Sequence, residues 1–347
     1  MKYAMPGTAL VILLALAALP AAFRTPAAPD SSAAPSRSFE LTYVVHVPAL
    51  PAGAKELRLW IPLPYHEKYQ VISHERIESP VSYHVYSDSE YHNRYAYVAV
   101  NAANGDQPFD ITVSLHARRF ERRVALVQSD RPSGVAMYNK ARFLQPDRLV
   151  PSNPQITAIS DQVTQGTTGQ VQKARELYNY VIAHMHYDHD GTEWGRGDAV
   201  WACDSHHGNC TDFHSLFIAL ARAQSIPAAF EIGFPLPADK HEGAITSYHC
   251  WALFYANGIG WVPIDASEAW KHKDKEDYFF GAIDPNRIKM SLGRDIELTP
   301  AQKGAPLNYF VNPYAELDGQ PYKDVKTDYS FRDEPAPAAA ATANGSD

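Results

Sequence analysis

From Phe39 onward the apolar residues fall on alternate positions: Phe39, Leu41, Tyr43, Val45 and Val47, then Leu57, Leu59 and Ile61. The alternation returns at Val81, Tyr83 and Val85, at Tyr95, Tyr97 and Ala99, and at Phe109, Ile111, Val113 and Leu115. A strand turns every second side chain to one face, and clusters of Pro, Gly, Asn and Asp separate these five runs. The pattern therefore predicts an antiparallel β-sandwich domain over residues 39–125 with one wet face.

The period then lengthens. Ile156, Ile159 and Val163, and later Ala174, Leu177, Val181 and Met185, recur at helical spacing. They predict a connecting helical segment over 126–171 and a helix at the start of a second domain, 172–320. A third helix is marked more fully. Asn209 can cap it, Asp212 follows three residues later, and Phe213, Leu216, Phe217 and Leu220 form one stripe before Ser225-Ile226-Pro227 ends it. Strands are expected at 228–234, 248–255 and 259–265, which makes the second domain α+β.

The two ends read differently. Lys2 precedes an apolar run from Thr8 to Phe23, broken at Pro20 and closed by small residues. Residues 1–23 thus have the form of a secretory signal peptide and fall short of the ~20 apolar residues of a spanning helix. The alternative is an uncleaved membrane anchor; on either reading the remainder is exported, to the periplasm or beyond. Residues 24–38 and the chain from about 335 are mostly Ala, Pro and Ser, the composition of a disordered linker and tail. The whole of 321–347 is expected as a C-terminal tail.

Composition narrows the functions. With 31 Lys+Arg against 39 Asp+Glu the 347-residue chain has a formal charge of −8, and no basic block interrupts it, so a nucleic-acid partner is excluded. Three cysteines allow at most one disulfide and show no C-x-x-C spacing of structural zinc. A bridge between Cys203 and Cys250 would leave Cys210 free. His184, His186 and His189 with Asp188 and Asp190 invite a metal, but residues two apart on a helix do not face one another, and 188–193 lacks the acidic positions of a calcium loop. No metal and no cofactor is expected.

Cys210 stands in the first turn of the third helix, where unpaired N–H groups and the helix dipole favour a thiolate. The base candidate is His249, which alternation places with Trp251 and Leu253 on one face of its strand and Cys250, Ala252 and Phe254 on the other. If Ala256-Asn257-Gly258 is a three-residue hairpin loop, Tyr255 pairs with Ile259 and His249 lies opposite Asp265. A two-residue loop would put Asp265 opposite Cys250 instead.

The segment from Gly208-Asn209-Cys210-Thr211-Asp212-Phe213 to Phe217, then 222–227, then His249-Cys250-Trp251, then Gly260-Trp261-Val262-Pro263-Ile264-Asp265, resembles the core of the transglutaminase-like superfamily. The likeness is greatest to its secreted bacterial branch, is strong over 172–268 and extends more weakly to about 320. It implies a papain-like catalytic triad of Cys210, His249 and Asp265, and acyl chemistry on amide bonds of a protein or peptide, cell-wall peptide included. It also implies an upstream oxyanion donor, for which Trp194 is the first choice and Tyr187 the second. Ser225 stands where the family usually has Gly. A peptidase, an amidase, a cross-linking acyltransferase and a non-catalytic binding module all remain open on this resemblance.

Overall fold

The computed structural model describes residues 34–101, 107–127 and 139–335. The leader-like segment 1–23, most of the expected linker and the chain from 336 lie outside the described residues. Six strands come first: β1 (Ser36–Val47), β2 (Glu56–Leu63), β3 (Gln70–Glu78), β4 (Tyr83–Ser87), β5 (Arg94–Asn101) and β6 (Phe109–Phe120). Five of them are the alternating runs. The pattern does not mark β3, because its register with β6 shifts between Ser73 and Arg76, where His74 takes a φ of +52°. A bulge of this kind reverses which face later residues occupy, so no single alternation spans the strand.

After β7 (Arg122–Arg123) come α1 (Pro154–Val163), α2 (Gln170–His184), β8 (His186–Tyr187), α3 (Ala199–Ser205), β9 (His207–Gly208) and α4 (Cys210–Ala223). Next are β10 (Ala228–Pro235), β11 (Glu242–Ile245), β12 (His249–Ala256), β13 (Gly260–Ile264), α5 (Ala266–Lys271), β14 (Ala282–Ile283) and β15 (Arg287–Leu292). The chain then runs through β16 (Tyr314–Leu317), β17 (Gln320–Pro321) and β18 (Lys326–Asp333).

The sandwich consists of two five-stranded sheets, ordered β11-β18-β1-β6-β3 and β17-β16-β2-β5-β4. Leu41, Tyr43 and Val45 of β1 and Leu57, Leu59 and Ile61 of β2 fill the space between them and are fully buried. β4 lies at an edge, so its alternating Tyr83 and Val85 stay exposed. The sandwich is therefore not confined to 39–125: it takes β11 from the middle of the chain and β16, β17 and β18 from its end. The residues expected as a tail supply β18, which pairs with β1 from Phe39↔Asp333 to His46↔Lys326. Only Tyr329 and Phe331 turn inward from it, too few apolar positions to register as a strand.

The second layer is the antiparallel sheet β13-β12-β10-β15 with α4 on one face. Cys250, Ala252 and Phe254 join the core that includes α4, whereas Trp251 and Leu253 pack with Trp261, Trp60 and Tyr95. Between sheet and sandwich, Lys289 Nζ lies 2.6 Å from Glu67 and 3.1 Å from Glu231, and Arg119 closes on Glu67 at 3.0 Å. Charges buried this deeply are tolerable only when each keeps its partners, so the network ties the two layers in one arrangement.

Candidate active site

Cys210 opens α4, and its surroundings explain why the helix starts there. Asn209 Oδ1 accepts the Thr211 N–H at 2.9 Å, and the Asp212 carboxylate reaches back to the Asn209 N–H at 2.9 Å, completing a capping box. The same carboxylate accepts the N–H groups of Gly195 at 2.7 Å and Gly197 at 2.9 Å, which fastens the upstream loop to the site. Gly208 must be glycine: its φ is +139°, and a Cβ there would lie 2.7 Å from Asp212 Cβ and collide with the Asp212 carboxylate.

The β12–β13 hairpin has a three-residue loop, but it comprises Asn257, Gly258 and Ile259, since Ala256 pairs with Gly260 and Leu253 with Pro263. Continued by two residues, this register sets Asp265 opposite Trp251, not opposite His249. The slip from the expected register is two residues, and an even slip leaves every side chain on its original face. Asp265 thus approaches His249 from a diagonal position, with His249 Nε2 and Asp265 Oδ2 2.7 Å apart.

Asp265 is also the cap of α5. Its Oδ1 accepts the Glu268 N–H at 3.0 Å and the Ser267 hydroxyl at 3.1 Å, while Oδ2 accepts from Arg287 Nη1 at 2.6 Å beside the histidine. Arg287 in turn holds Asp284 at 2.6 Å. Burial would raise the Asp265 pKa, but the charges of His249 and Arg287 outweigh it and hold the carboxyl well below its usual range. Burial likewise opposes the protonated form of His249, and Asp265 overcomes it, lifting the imidazole to about 10.

With Nε2 given to Asp265, His249 has Nδ1 left, and His249 and Cys210 line the same cavity. Burial raises the thiol pKa, yet hydrogen bonds from Cys250 and His249 and the positive charge on His249 bring it well below the ordinary value. The charges favour a thiolate–imidazolium pair.

Two residues that sequence reasoning did not single out complete the centre. His214, one turn after Cys210, donates from Nδ1 to the Cys210 carbonyl at 2.7 Å and accepts the Ala266 N–H at Nε2 at 3.1 Å. Burial keeps its pKa below 6.5, so it is the neutral tautomer that these two partners require. Its signal was the i, i+4 spacing from Cys210. Arg287 had none, because the fold alone brings β15 to Asp265.

The cysteines depart from expectation. Cys203, Cys210 and Cys250 are all free thiols, and no Cys203–Cys250 bridge forms. Cys203, on α3, lies near Gln155, while Cys250 stands 3.5 Å from His214 Nδ1. Alternation turns Cys250 away from Trp251 as expected, but toward α4 and hence toward Cys210. His249 begins the strand and lines the same cavity as Cys210.

The oxyanion candidates separate as well. Trp194 is stacked on His189 and its indole N–H already donates to the Gly191 carbonyl at 3.1 Å. Tyr187 lines the cavity that opens over Cys210 and His249, a space of about 860 Å³ also bounded by Tyr248, Lys271 and Arg287. Of the suspected metal ligands, His184 stacks on Tyr180, His186 packs edge-on to Trp270, and Asp188 pairs with His207 at 2.7 Å. Among the described residues no group of three or more His, Cys, Asp or Glu side chains could hold a metal ion.

An α+β core that sets a cysteine at a helix start beside a histidine and an aspartate has the papain-like arrangement. Residues 157–266 match the family model of the transglutaminase-like superfamily core. The chain is 27% identical over 344 residues to an uncharacterized protein of Haemophilus influenzae, an alignment that spans 84% of this chain and 89% of the relative. Among solved structures, a candidate cysteine protease from Cytophaga hutchinsonii aligns with a TM-score of 0.54 at 15% identity, over 86% of this chain and 98% of its own. That likeness is one of fold, and it covers far more than the core. The periplasmic domain of TgpA from Pseudomonas aeruginosa aligns with a TM-score of 0.35 at 13% identity, over 69% and 90% of the two chains.

Proposed function

We propose that the protein is an exported cysteine-dependent hydrolase or acyltransferase that acts on amide bonds of a protein or peptide, cell-wall peptide included. The observation that carries this reading is the His249 Nε2 to Asp265 Oδ2 contact of 2.7 Å, with His249 and Cys210 lining the same cavity. In the reaction the Cys210 thiolate attacks the amide carbonyl carbon, and the developing oxyanion turns toward the Cys210 N–H and the Tyr187 hydroxyl. Burial pushes the Tyr187 pKa up to about 12, so that hydroxyl stays protonated and able to donate. His249 gives its Nδ1 proton to the departing amine, and Asp265 holds the ring in place and stabilises its charge. Water or a second amine then takes the acyl group from Cys210, with His249 accepting the incoming proton. Export is supported by the form of residues 1–23; among the described residues no helix is long and apolar enough to cross a membrane.

The test pairs chemistry with substrate. Iodoacetamide should alkylate Cys210 rapidly well below pH 8.5, and His249→Ala should abolish that reactivity. Casein, dansylcadaverine and cell-wall peptides then distinguish hydrolysis from amine transfer. Slow alkylation that is equal in both proteins identifies a binding module that keeps the fold without the reaction.

A further inference from the structure

We propose that the groove behind the segment Thr246-Ser247-Tyr248 holds part of a polypeptide substrate as an added strand beside β18. The proposal rests on the reading of Cys210 and His249 as the reactive pair, and it names the substrate class of that site: an extended polypeptide rather than a small amide. A second cavity, of about 660 Å³, lies next to the one over Cys210, and Thr246, Ser247 and Tyr248 line both. These three residues lead from β11 of the sandwich to His249. Ile245, the last paired residue of β11, is four residues from His249, at most ~14 Å along the chain, so one short stretch of substrate can lie in both cavities.

The edge of β18 supplies the partner for that stretch. β18 lies between β1 and β11; the Asp333 N–H donates to the His241 carbonyl on the β11 side, and the Glu334 N–H to the Ser38 carbonyl on the β1 side. Successive residues of an antiparallel strand turn their backbone groups to opposite sides, so Phe331, Tyr329 and Thr327 turn theirs toward β11. β11 stops at Ile245, opposite Tyr329. The N–H and C=O of Thr327 therefore face the second cavity, which Thr327 lines, and among the described residues no strand lies beyond them. An edge open in this way takes up an extended chain through main-chain hydrogen bonds, which any sequence can supply. Phe234 and Tyr329, with ring centroids 4.3 Å apart, line the same cavity and offer apolar surface to a side chain of that strand. The dividing wall is tied to the nucleophile: the Tyr248 hydroxyl accepts the Asn209 Nδ2–H at 3.0 Å, and Asn209 caps the helix that begins at Cys210. A chain paired with β18 is thereby referenced to the frame that holds Cys210.

Fluorescence anisotropy of the full chain with the labelled, oxidised B chain of insulin, a polypeptide without a fixed fold, tests the groove, with labelled dialanine as the short control. The wild type should bind the B chain and not dialanine. Thr327→Pro removes the N–H that faces the groove, leaves the ladder with β1, and should weaken binding about tenfold, the scale of one lost main-chain hydrogen bond. Thr327→Val keeps the N–H and should retain binding. Ala244→Trp, from an exposed position that lines the cavity, should obstruct it and weaken binding as well. Hydrogen exchange gives a readout that needs no substitution: the Thr327 amide of the wild type should exchange more slowly with the B chain bound. Absence of binding, equal binding by Thr327→Pro and the wild type, or an unchanged exchange rate at Thr327 overturns the proposal. Iodoacetamide separates it from the catalytic reading. His249-dependent alkylation without Thr327-dependent binding sinks this proposal alone, and Thr327-dependent binding with slow, His249-independent alkylation sinks the catalytic reading alone.

Discussion

Asp265 holds His249 from a position two residues off direct pairing, reaching across from the cap of α5 to the first residue of β12 at 2.7 Å. The carboxylate spends one oxygen on the helix start and the other on two cations, so it fixes structure and charge at once. Asp265→Asn keeps the shape but removes the charge that Arg287 and His249 share, leaving the buried Arg287 with Asp284 alone. Stability should fall by about 3–5 kcal/mol, the scale for breaking a buried pair from one side, and alkylation of Cys210 should slow. Urea denaturation and iodoacetamide kinetics measure the two; a variant unchanged in both would remove Asp265 from the site.

The same pair sets a pH window for stability. Asp265 titrates lower in the fold than in the unfolded chain, so its contribution is present above the ordinary carboxylate pKa and is lost as pH falls through its depressed value. His249 titrates higher, at about 10, so its contribution is full below 6.5 and disappears as pH rises through about 10. Melting temperature against pH should show both edges, and His249→Gln should flatten the alkaline one. An alkaline edge identical in wild type and variant would show that His249 does not cause it.

His214 joins the start of α4 to the start of α5, and both of its ring nitrogens are used. His214→Phe fills the space but strands the Ala266 N–H in the core and takes the side-chain hydrogen bond from the Cys210 carbonyl, which keeps its helical one. The expected cost is about 1–3 kcal/mol for the unmet N–H, with Cys210 losing alkylation rate because its helix start is no longer held. His214→Gln, which retains a donor and an acceptor, should recover part of both. Equal rates and equal melting temperatures across all three proteins would refute the positioning role.

Two turn residues should respond in opposite directions. Ser225 has a φ of +55°, a left-handed conformation that explains why the family favours Gly there. Ser225→Gly should therefore stabilise, by up to ~1 kcal/mol once the greater freedom of Gly in the unfolded chain is subtracted. Gly258, at +76° in the middle of the hairpin loop, should lose ~1–2 kcal/mol as Val. Differential scanning calorimetry decides both signs.

Much of this was legible in the chain. The capping pattern at Asn209 and Asp212 located α4 and Cys210, and alternation assigned His249 and Asp265 to one face even though the hairpin register slipped, because the slip was even. What stayed hidden was long-range. Arg287 reaches Asp265 through the sheet order β13-β12-β10-β15, which no local period encodes. The partner of Cys250 depended on which layer faces its side of β12, and only the packing of α4 answers that. β18 was missed because a strand with two inward apolar residues looks like a polar tail.

That strand has a consequence for how the protein is made. β1 lies between β6 and β18, so one neighbour of the first strand is among the last residues described to leave the ribosome. The sheet cannot be completed on a growing chain, and β11, which among the described residues pairs only with β18, must wait for it beside the segment that leads into His249. Assembly of the reactive centre's surroundings is thereby deferred until synthesis has passed Asp333. A premature stop after Leu317 would release a chain with β1 open along one side, exposing Tyr43 and the core behind it to aggregation and proteolysis.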